Sequence, residues 1–340
     1  MRRFVLIVLL AAGALAWPTS PDHPDLGARP GHASGIEPDG LLVLAVLSPE
    51  RAVVADPRTG ETRERRVPGG TFCHGPLLAV GDRVVLSGLR GSRPVARSLP
   101  LSLTGAGRPL GAADTVMVAS AVPGRVWLGR WTRLGTRAAR VSLREVDAAG
   151  RPVARATARI LRWGLLEGVV DDGFVLSDEH GLTLRRGGAE SRSFRGAWML
   201  ATGGSRFAWC RPGDAGCRRI RIWSADSDRT LEPPTGVRLP LGGDASFSPD
   251  GRRLALPVRT GGRDRVAVVD VASGRWTVAH GARLADYRSI AWSPSGRWLY
   301  FTGSRDRVLG WRVGAAEPVA LPIRPDGTVM SIATTDAPAL

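Results

Sequence analysis

The sequence contains no lysine, no asparagine and no glutamine, so all 47 of its basic residues are arginine. Selection for an anion-binding patch would not remove those three residue types together. A strongly GC-biased genome would, because their codons are A-rich. The formal net charge of +16 is therefore read first as arginine spread over a solvated surface, with a long apolar stem covering each strand and the charge left in water. Several arginines fit that use by opening a strand directly after a glycine, as Arg108, Arg125, Arg151, Arg252, Arg275 and Arg297 do. Other absences exclude chemistry. There is no G-x-S-x-G nucleophile elbow, no H-E-x-x-H zinc motif and no phosphate-binding glycine loop. No apolar run reaches the roughly 20 residues that a spanning helix needs, and long polar helical stretches are missing.

What the chain has in quantity is turn-forming residues, 43 glycines and 25 prolines in 340 residues. That composition points to many short strands joined by tight turns.

The first residues read as a targeting segment. Arg2-Arg3 precede an apolar run over 4–17 that holds Ala14-Leu15-Ala16, a small-residue cleavage pattern. Residues 1–16 are expected to be a signal peptide, with an uncleaved signal-anchor as the alternative and the membrane's only route of contact. Residues 17–40, with Pro18, Pro21, Pro24, Pro30 and Pro38, read as a disordered tether. His23 and His32 within it are taken as incidental. A propeller domain is expected over 41–335, with a short tail at 336–340.

The repeat is clearest near the end. Phe247-Ser248-Pro249-Asp250-Gly251-Arg252-Arg253-Leu254-Ala255 and Trp292-Ser293-Pro294-Ser295-Gly296-Arg297-Trp298-Leu299-Tyr300 are near-copies. Each is an apolar strand, a Ser-Pro-x-Gly turn and a second apolar strand, with proline presetting one turn corner and glycine accepting the unusual φ at its end. A second hairpin follows each copy, giving four strands per repeat. Hairpin turns near residues 58, 105, 148, 187, 226, 273 and 315 make seven repeats. The expected fold is an all-β, single β-propeller of about seven four-stranded blades. The first repeat, starting at Leu41, lacks an innermost strand, and the segment 328–333 has no repeat of its own. Pairing the two closes the ring and removes a sheet edge.

The Ser-Pro-Asp-Gly-Arg-x-Leu-Ala pattern at 247–255, and its copy at 292–300, resembles the WD40-like propeller repeats of the TolB-type family. The resemblance covers about a fifth of the chain at motif quality. It implies an extracytoplasmic propeller that serves as a protein-interaction platform. It carries over no catalytic residue, because Phe247, Ser248, Pro249, Asp250, Gly251, Trp292, Ser293, Pro294 and Gly296 form a structural motif. The separate N-terminal domain of TolB itself is not expected here.

Candidate chemistry is sparse. Cys210 and Cys217 flank a turn between two strands, and in an exported chain they are expected to form a disulfide. Cys73 and His74 are neighbours on an apolar strand and would point to opposite faces, so Cys73 is read as a small buried hydrophobe. Asp171-Asp172 and Asp178-Glu179-His180 could hold a cation or act as an acid–base pair, but they sit beside Gly173 and Gly181 where turns use aspartate. Asp226-x-Asp228 lacks the rest of a calcium loop. The tryptophans, including Trp223, Trp276, Trp298 and Trp311, read as blade packing. No metal, cofactor or catalytic residue is assigned.

The function expected from the sequence is a non-enzymatic, exported, monomeric propeller that binds an extracytoplasmic protein or peptide at a loop face. A cell-envelope glycan or anionic polymer is the second reading, and a hydrolase or lyase using the central funnel is the third. Nucleic acid is not expected.

Overall fold

The computed structural model describes residues 37–337, apart from 48–49, 68–76, 91–92, 106, 113–115, 121, 123, 134–137, 162–164, 172, 188, 214–215, 241–244 and 286–288. The signal segment, most of the tether, Cys73, His74 and Asp172 lie outside the described residues. Seven antiparallel sheets follow one another along the chain. From the inner strand outward, blade 2 is Leu78–Val80, Arg83–Arg90, Arg93–Pro100 and Arg108–Ala112. Blade 3 is Val116–Ala119, Arg125–Arg133, Ala138–Asp147 and Pro152–Leu161; blade 4 is Leu165–Val170, Gly173–Asp178, Gly181–Arg186 and Ala189–Arg195. Blade 5 is Trp198–Gly203, Arg206–Cys210, Ile220–Ser224 and Ser227–Leu231. Blade 6 is Ser246–Phe247, Arg253–Thr260, Arg263–Asp270 and Trp276–Val278; blade 7 is Ile290–Trp292, Trp298–Thr302, Val308–Arg312 and Val319–Ala320.

Blade 1 is built from both ends of the chain. Its inner strand is Thr328–Thr335, paired antiparallel with Leu41–Leu47 from Leu41↔Thr335 to Leu47↔Thr328; Arg51–Ala55 and Thr62–Arg66 complete it. The ring is closed as the repeat spacing implied, and the seven hairpin turns read from the sequence are the turns between third and outer strands of the seven blades.

A four-stranded meander fixes which loops share a face. The turns between inner and second strands, and between third and outer strands, lie on one face, here called the back. The turns between second and third strands and the blade-to-blade connections lie on the front. Apolar layers fill the spaces between blades: Leu42, Leu44 and Val329 of blade 1 pack with Trp298, Tyr300 and Val308 of blade 7, and Phe207, Trp209 and Trp223 of blade 5 pack with Val170, Val175 and Leu182 of blade 4.

The Ser-Pro-x-Gly turns are back-face turns and their chemistry explains the motif. Ser248 Oγ accepts from the Arg253 N–H at 3.0 Å, and Ser293 Oγ from the Trp298 N–H at 3.1 Å. Gly251 and Gly296, both at φ 67°, donate to the serine carbonyls at 2.7 and 2.8 Å. Arginine then ties neighbouring blades together through these turns. Arg206 donates to the Gly251 carbonyl at 3.0 Å, and Arg253 to the Gly296 carbonyl at 2.9 Å. Part of the positive charge thus serves the fold itself.

Residues 39 and 40 depart from the expected tether, because they are fixed to blade 7. The Asp39 carboxylate accepts from the Ser295 N–H at 3.0 Å and from its hydroxyl at 2.9 Å. Tyr300 donates to the Asp39 carbonyl at 2.8 Å. Gly40, at φ 78°, passes so close that a Cβ there would lie 2.6 Å from Pro294 Cδ.

The third-to-outer turns of blades 1, 3 and 6 each begin with an aspartate held ionised. Arg58 donates to both oxygens of the buried Asp56, at 3.1 and 2.8 Å, and holds its pKa below the usual carboxylate range. The backbone N–H of Arg151, then its guanidinium, does the same for Asp147; the N–H of Ser273, then its hydroxyl, does so for Asp270. A depressed folded pKa stabilises above the unfolded value of about 3.9 and is lost as pH falls through the folded value. Thermal stability should therefore hold steady above about pH 5 and fall below about pH 4. Asp56→Asn should flatten that acid limb in a melting series, and an unchanged limb would remove Asp56 from the account.

Candidate binding site at the front mouth of the channel

The seven inner strands run parallel around the channel, so their first residues meet at its front mouth. Two of these strands can be aligned closely. The Asp171 N–H donates to the Gly204 carbonyl at 3.1 Å, just past the ends of the blade 4 and blade 5 inner strands. Leu165 and Trp198 open those strands, and each lies the same number of residues before that bond. They are therefore level. The strands also touch midway, where a Cβ on Gly168 would overlap the Thr202 side chain. Leu165 and Trp198 are each 52% exposed, more than the other exposed large apolar side chains described, Val122 and Val153.

A bulge interrupts both strands at the same position. Pairing jumps between Leu166 and Gly168 in blade 4 and between Met199 and Ala201 in blade 5, leaving Glu167 and Leu200 as the extra residues. Such bulges re-aim side chains. Glu167 is the only carboxylate in the described inner strands; the accessory strand Val237–Arg238, which pairs with the front end of Arg253–Thr260, adds one arginine two blades away. Ser177 donates its hydroxyl to Glu167. Ser177 is paired in register with Leu165. Leu166, Val169 and Leu176 pack toward Trp127 of blade 3, and Val175 packs toward blade 5. By alternation, Leu165, Ser177 and the carboxylate they border lie on the blade 5 side.

Asp178-Glu179-His180, singled out in the sequence, lies in the front turn directly beyond Ser177. The turn reading describes it: Asp178 Oδ1 accepts from the His180 N–H at 2.7 Å, and Glu179 and His180 are exposed. The turn lies at the front end of blade 4, and Glu179 Oε1 stands 3.7 Å from His180 Nε2. Asp171, at φ 51°, is on the back face 3.5 Å from Arg186, and Asp228 accepts from Arg192 and Arg221, both at 3.0 Å. His280 follows the outer strand of blade 6 and His180 sits in the second-to-third turn of blade 4, so the fold does not bring them together. Among the described residues no group of three or more His, Cys, Asp or Glu side chains could hold a metal ion. The motif residues Ser248, Pro249, Asp250 and Gly251, with Ser293, Pro294 and Gly296, are back-face turn residues; Phe247 and Trp292 end the inner strands before them.

Cys210 and Cys217 are joined by a disulfide with Cα atoms 5.8 Å apart. Cys210 pairs in register with Trp198, so the bridge stands at the edge of the mouth. It closes a small hairpin, Pro212–Gly213 with Gly216–Cys217, and the Cys217 N–H donates to the Leu239 carbonyl at 2.9 Å. Cys210→Ser with Cys217→Ser should lower unfolding stability by about 2–3 kcal/mol, the scale for so short a closed loop. Denaturant melts with and without reductant check this; equal midpoints would contradict it.

The sequence reading placed the tryptophans in the core. Trp209, Trp298 and Trp311 are there, at 2% exposure or less, but Trp198 is not. Nothing in its own segment marks it. The available signal was comparative: Leu165-Leu166-Glu167-Gly168 and Trp198-Met199-Leu200-Ala201 occupy equivalent positions in consecutive repeats.

No protein-family model matches the sequence, and no curated protein matches it. Solved structures share its fold. TolB from Acinetobacter baumannii superposes over 89% of this chain and 69% of its own, with a TM-score of 0.51 at 14% identity. The acylaminoacyl peptidase of Pyrococcus horikoshii matches with a TM-score of 0.58 at 9% identity, over 83% of this chain but half of its own. The β-propeller domain of the Trilobed protease from Pyrococcus furiosus matches with a TM-score of 0.57 at 9% identity, over 82% of this chain and 88% of its own. That domain is described as having an open velcro topology, whereas the present ring is closed by Thr328–Thr335. At these identities the likeness concerns the fold. Among the described residues no helix is long and apolar enough to cross a membrane.

Proposed function

We propose that the protein is an exported, non-catalytic propeller that binds a protein or peptide at the front mouth of its channel. The observation that carries this reading is the level pair Leu165 and Trp198, two large apolar side chains half exposed on adjacent inner strands. Aromatic anchors of this kind dominate the energy of protein interfaces. Export is supported by the Cys210–Cys217 disulfide and by the leader-like residues 1–16. Crosslinked pull-downs at moderate salt should retain one partner, and Trp198→Ala should weaken that binding by at least about tenfold, or 1.4 kcal/mol. Binding untouched by Trp198→Ala would place the interaction elsewhere.

One observation favours the second reading, an anionic polymer. The segments 86–97, 130–142 and 155–161 hold nine arginines and no acidic residue. Their described residues belong to blades 2 and 3, and Arg97, Arg130, Arg140 and Arg155 are exposed. The second and third strands of these blades continue past the inner strands, whose first residues pair as Leu78↔Val85 and Val116↔Gly129. A polymer held there should lose affinity steeply as salt rises, in the manner of counterion release. A protein held at the apolar mouth should not.

A further inference from the structure

One face of blade 3 changes character halfway along. At the back, Val126, Leu128 and Val146 face blade 2 and pack with its Val85, Ala96 and Leu110. Side chains alternate along a strand, so the same face continues toward the front as Arg130 on the second strand and as Arg144, Ser142 and Arg140 on the third. The register carries it to the outer strand: Ser142 stands opposite Arg130 and Thr157, and Arg144 opposite Leu128 and Arg155. Arg144 fixes the direction, donating to the Leu110 carbonyl of blade 2 at 2.6 Å. Arg130, Arg140, Ser142, Arg155 and Thr157 are all exposed. The two blades thus pack at the back of this face and leave its front open. The next step rests on the second reading above, that this side of the ring takes an anionic polymer. We propose that the front half of this face binds a soluble chain of phosphate groups, held by Arg140 and Arg155 with Ser142 and Thr157, beside Arg130.

The carboxylates of the two blades are placed elsewhere. Blade 3 has two. Glu145 stands opposite Trp127 and Ala154 on the face turned to blade 4, where it accepts from Ser120 at 2.6 Å and lies 3.5 Å from Arg125. Asp147 holds Arg151 at the back. Blade 2 has one, Asp82, in its back turn. Asp114, in the connection between the blades, lies outside the described residues. Residues 83–144 hold eleven arginines against Asp114 alone, whereas the whole chain has 47 basic and 31 acidic residues. Codon bias favours arginine over lysine everywhere; it does not strip one stretch of carboxylates. The residue types indicate the ligand. A guanidinium fork matches phosphate oxygens and holds two at once. A phosphate directs its oxygens tetrahedrally, so an arginine of one strand and a hydroxyl of the next can bond the same group from different sides. A flat membrane would meet the front turns of the blades, but this wall is turned toward blade 2.

The competing account is diffuse attraction to an arginine-rich surface. Titration of the full chain with long-chain inorganic polyphosphate over a series of salt concentrations separates the two. Arg140→Gln with Arg155→Gln should raise Kd at least about tenfold and lower the slope of log Kd against log salt by about two, roughly one per arginine. Arg252→Gln with Arg297→Gln removes the same charge from exposed positions in the back turns of blades 6 and 7, and should leave Kd within about twofold. All four side chains are exposed, so the melting temperature should stay unchanged in both variants. An equal loss in the two variants would overturn the site in favour of diffuse attraction. Polyglutamate bound as tightly as polyphosphate would overturn the phosphate preference and leave the anionic-polymer reading standing. Vesicles of anionic phospholipid bound as tightly, and weakened by the same two substitutions, would overturn the choice of a soluble chain. Binding of none of the three would overturn both the site and the reading it rests on.

Discussion

A chain ended at Gly327 is expected to have no cooperative unfolding transition and to aggregate. The strand it loses, Thr328–Thr335, is the inner strand of blade 1, and its pairing with Leu41–Leu47 closes the ring. Val329 is fully buried and Ile332 is 5% exposed, both in the layer with Trp298 and Tyr300. Its removal would expose the ladder edge of Leu41–Leu47, a strand whose Leu42, Val43 and Leu44 have no exposed surface. A long apolar edge of this kind templates pairing with other chains. Other bonds to the strand would go as well: Ser289 Oγ accepts from the Ile332 N–H at 2.9 Å, and Thr335 donates to the Gly81 carbonyl at 2.8 Å, linking blade 1 to blades 7 and 2. Calorimetry of the truncated chain checks this, and a synthetic 328–337 peptide supplied in trans should restore the transition. A truncated protein that melts cooperatively near the full-length temperature would show that the ring does not need this strand.

Trp298→Ala is expected to cost about 3–5 kcal/mol, the scale for emptying a buried aromatic site. Trp298 is 2% exposed at the junction of blades 7 and 1, surrounded by Leu42, Leu44, Val53 and Val329. Its indole Nε1 is buried without a hydrogen-bond partner. Trp311 differs, since its Nε1 donates to the Ala315 carbonyl at 3.0 Å. Phenylalanine should therefore be accepted better at 298 than at 311, by roughly the 1 kcal/mol of one net hydrogen bond. Urea melts of Trp298→Ala, Trp298→Phe and Trp311→Phe give all three values. A loss under about 1 kcal/mol for Trp298→Ala would mean that the site collapses freely. A larger cost for Trp298→Phe than for Trp311→Phe would contradict the hydrogen-bond argument.

The last two blades were legible because their turns are written in residues with few alternatives. Ser248 and Ser293 close their turns with the hydroxyl, and Gly251 and Gly296 take a backbone conformation that a side chain would strain. Blades 2 to 5 join these strands with other residues, among them Gly81-Asp82 in blade 2, Ser120 and Gly124 in blade 3, Asp171 in blade 4 and Gly204-Ser205 in blade 5, so only their spacing marked them. Closure was legible from a missing strand at one end and a surplus one at the other. The arginines were partly legible: the reading of a solvated surface missed their bonds to carbonyls of neighbouring blades, and their concentration in 86–97, 130–142 and 155–161.

The mouth was not legible in any single segment. Leu165 and Trp198 come level at the mouth only because parallel inner strands of consecutive blades run side by side, which no local pattern records. Glu167 reads in sequence as one polar residue in an apolar strand. It becomes distinctive only once the inner strands of all seven blades are known and the others are seen to lack a carboxylate.

Site-specific photocrosslinking to the peptide or protein partner retained in pull-downs tests most directly whether binding belongs to the front mouth. A benzophenone side chain placed at position 198 reports the mouth, and one at Val122, 45% exposed in the first back turn of blade 3, reports the opposite face. Peptide adducts from position 198 and none from position 122 are the expected result. Adducts from position 122 alone, or equally from both, would contradict the assignment of the binding face.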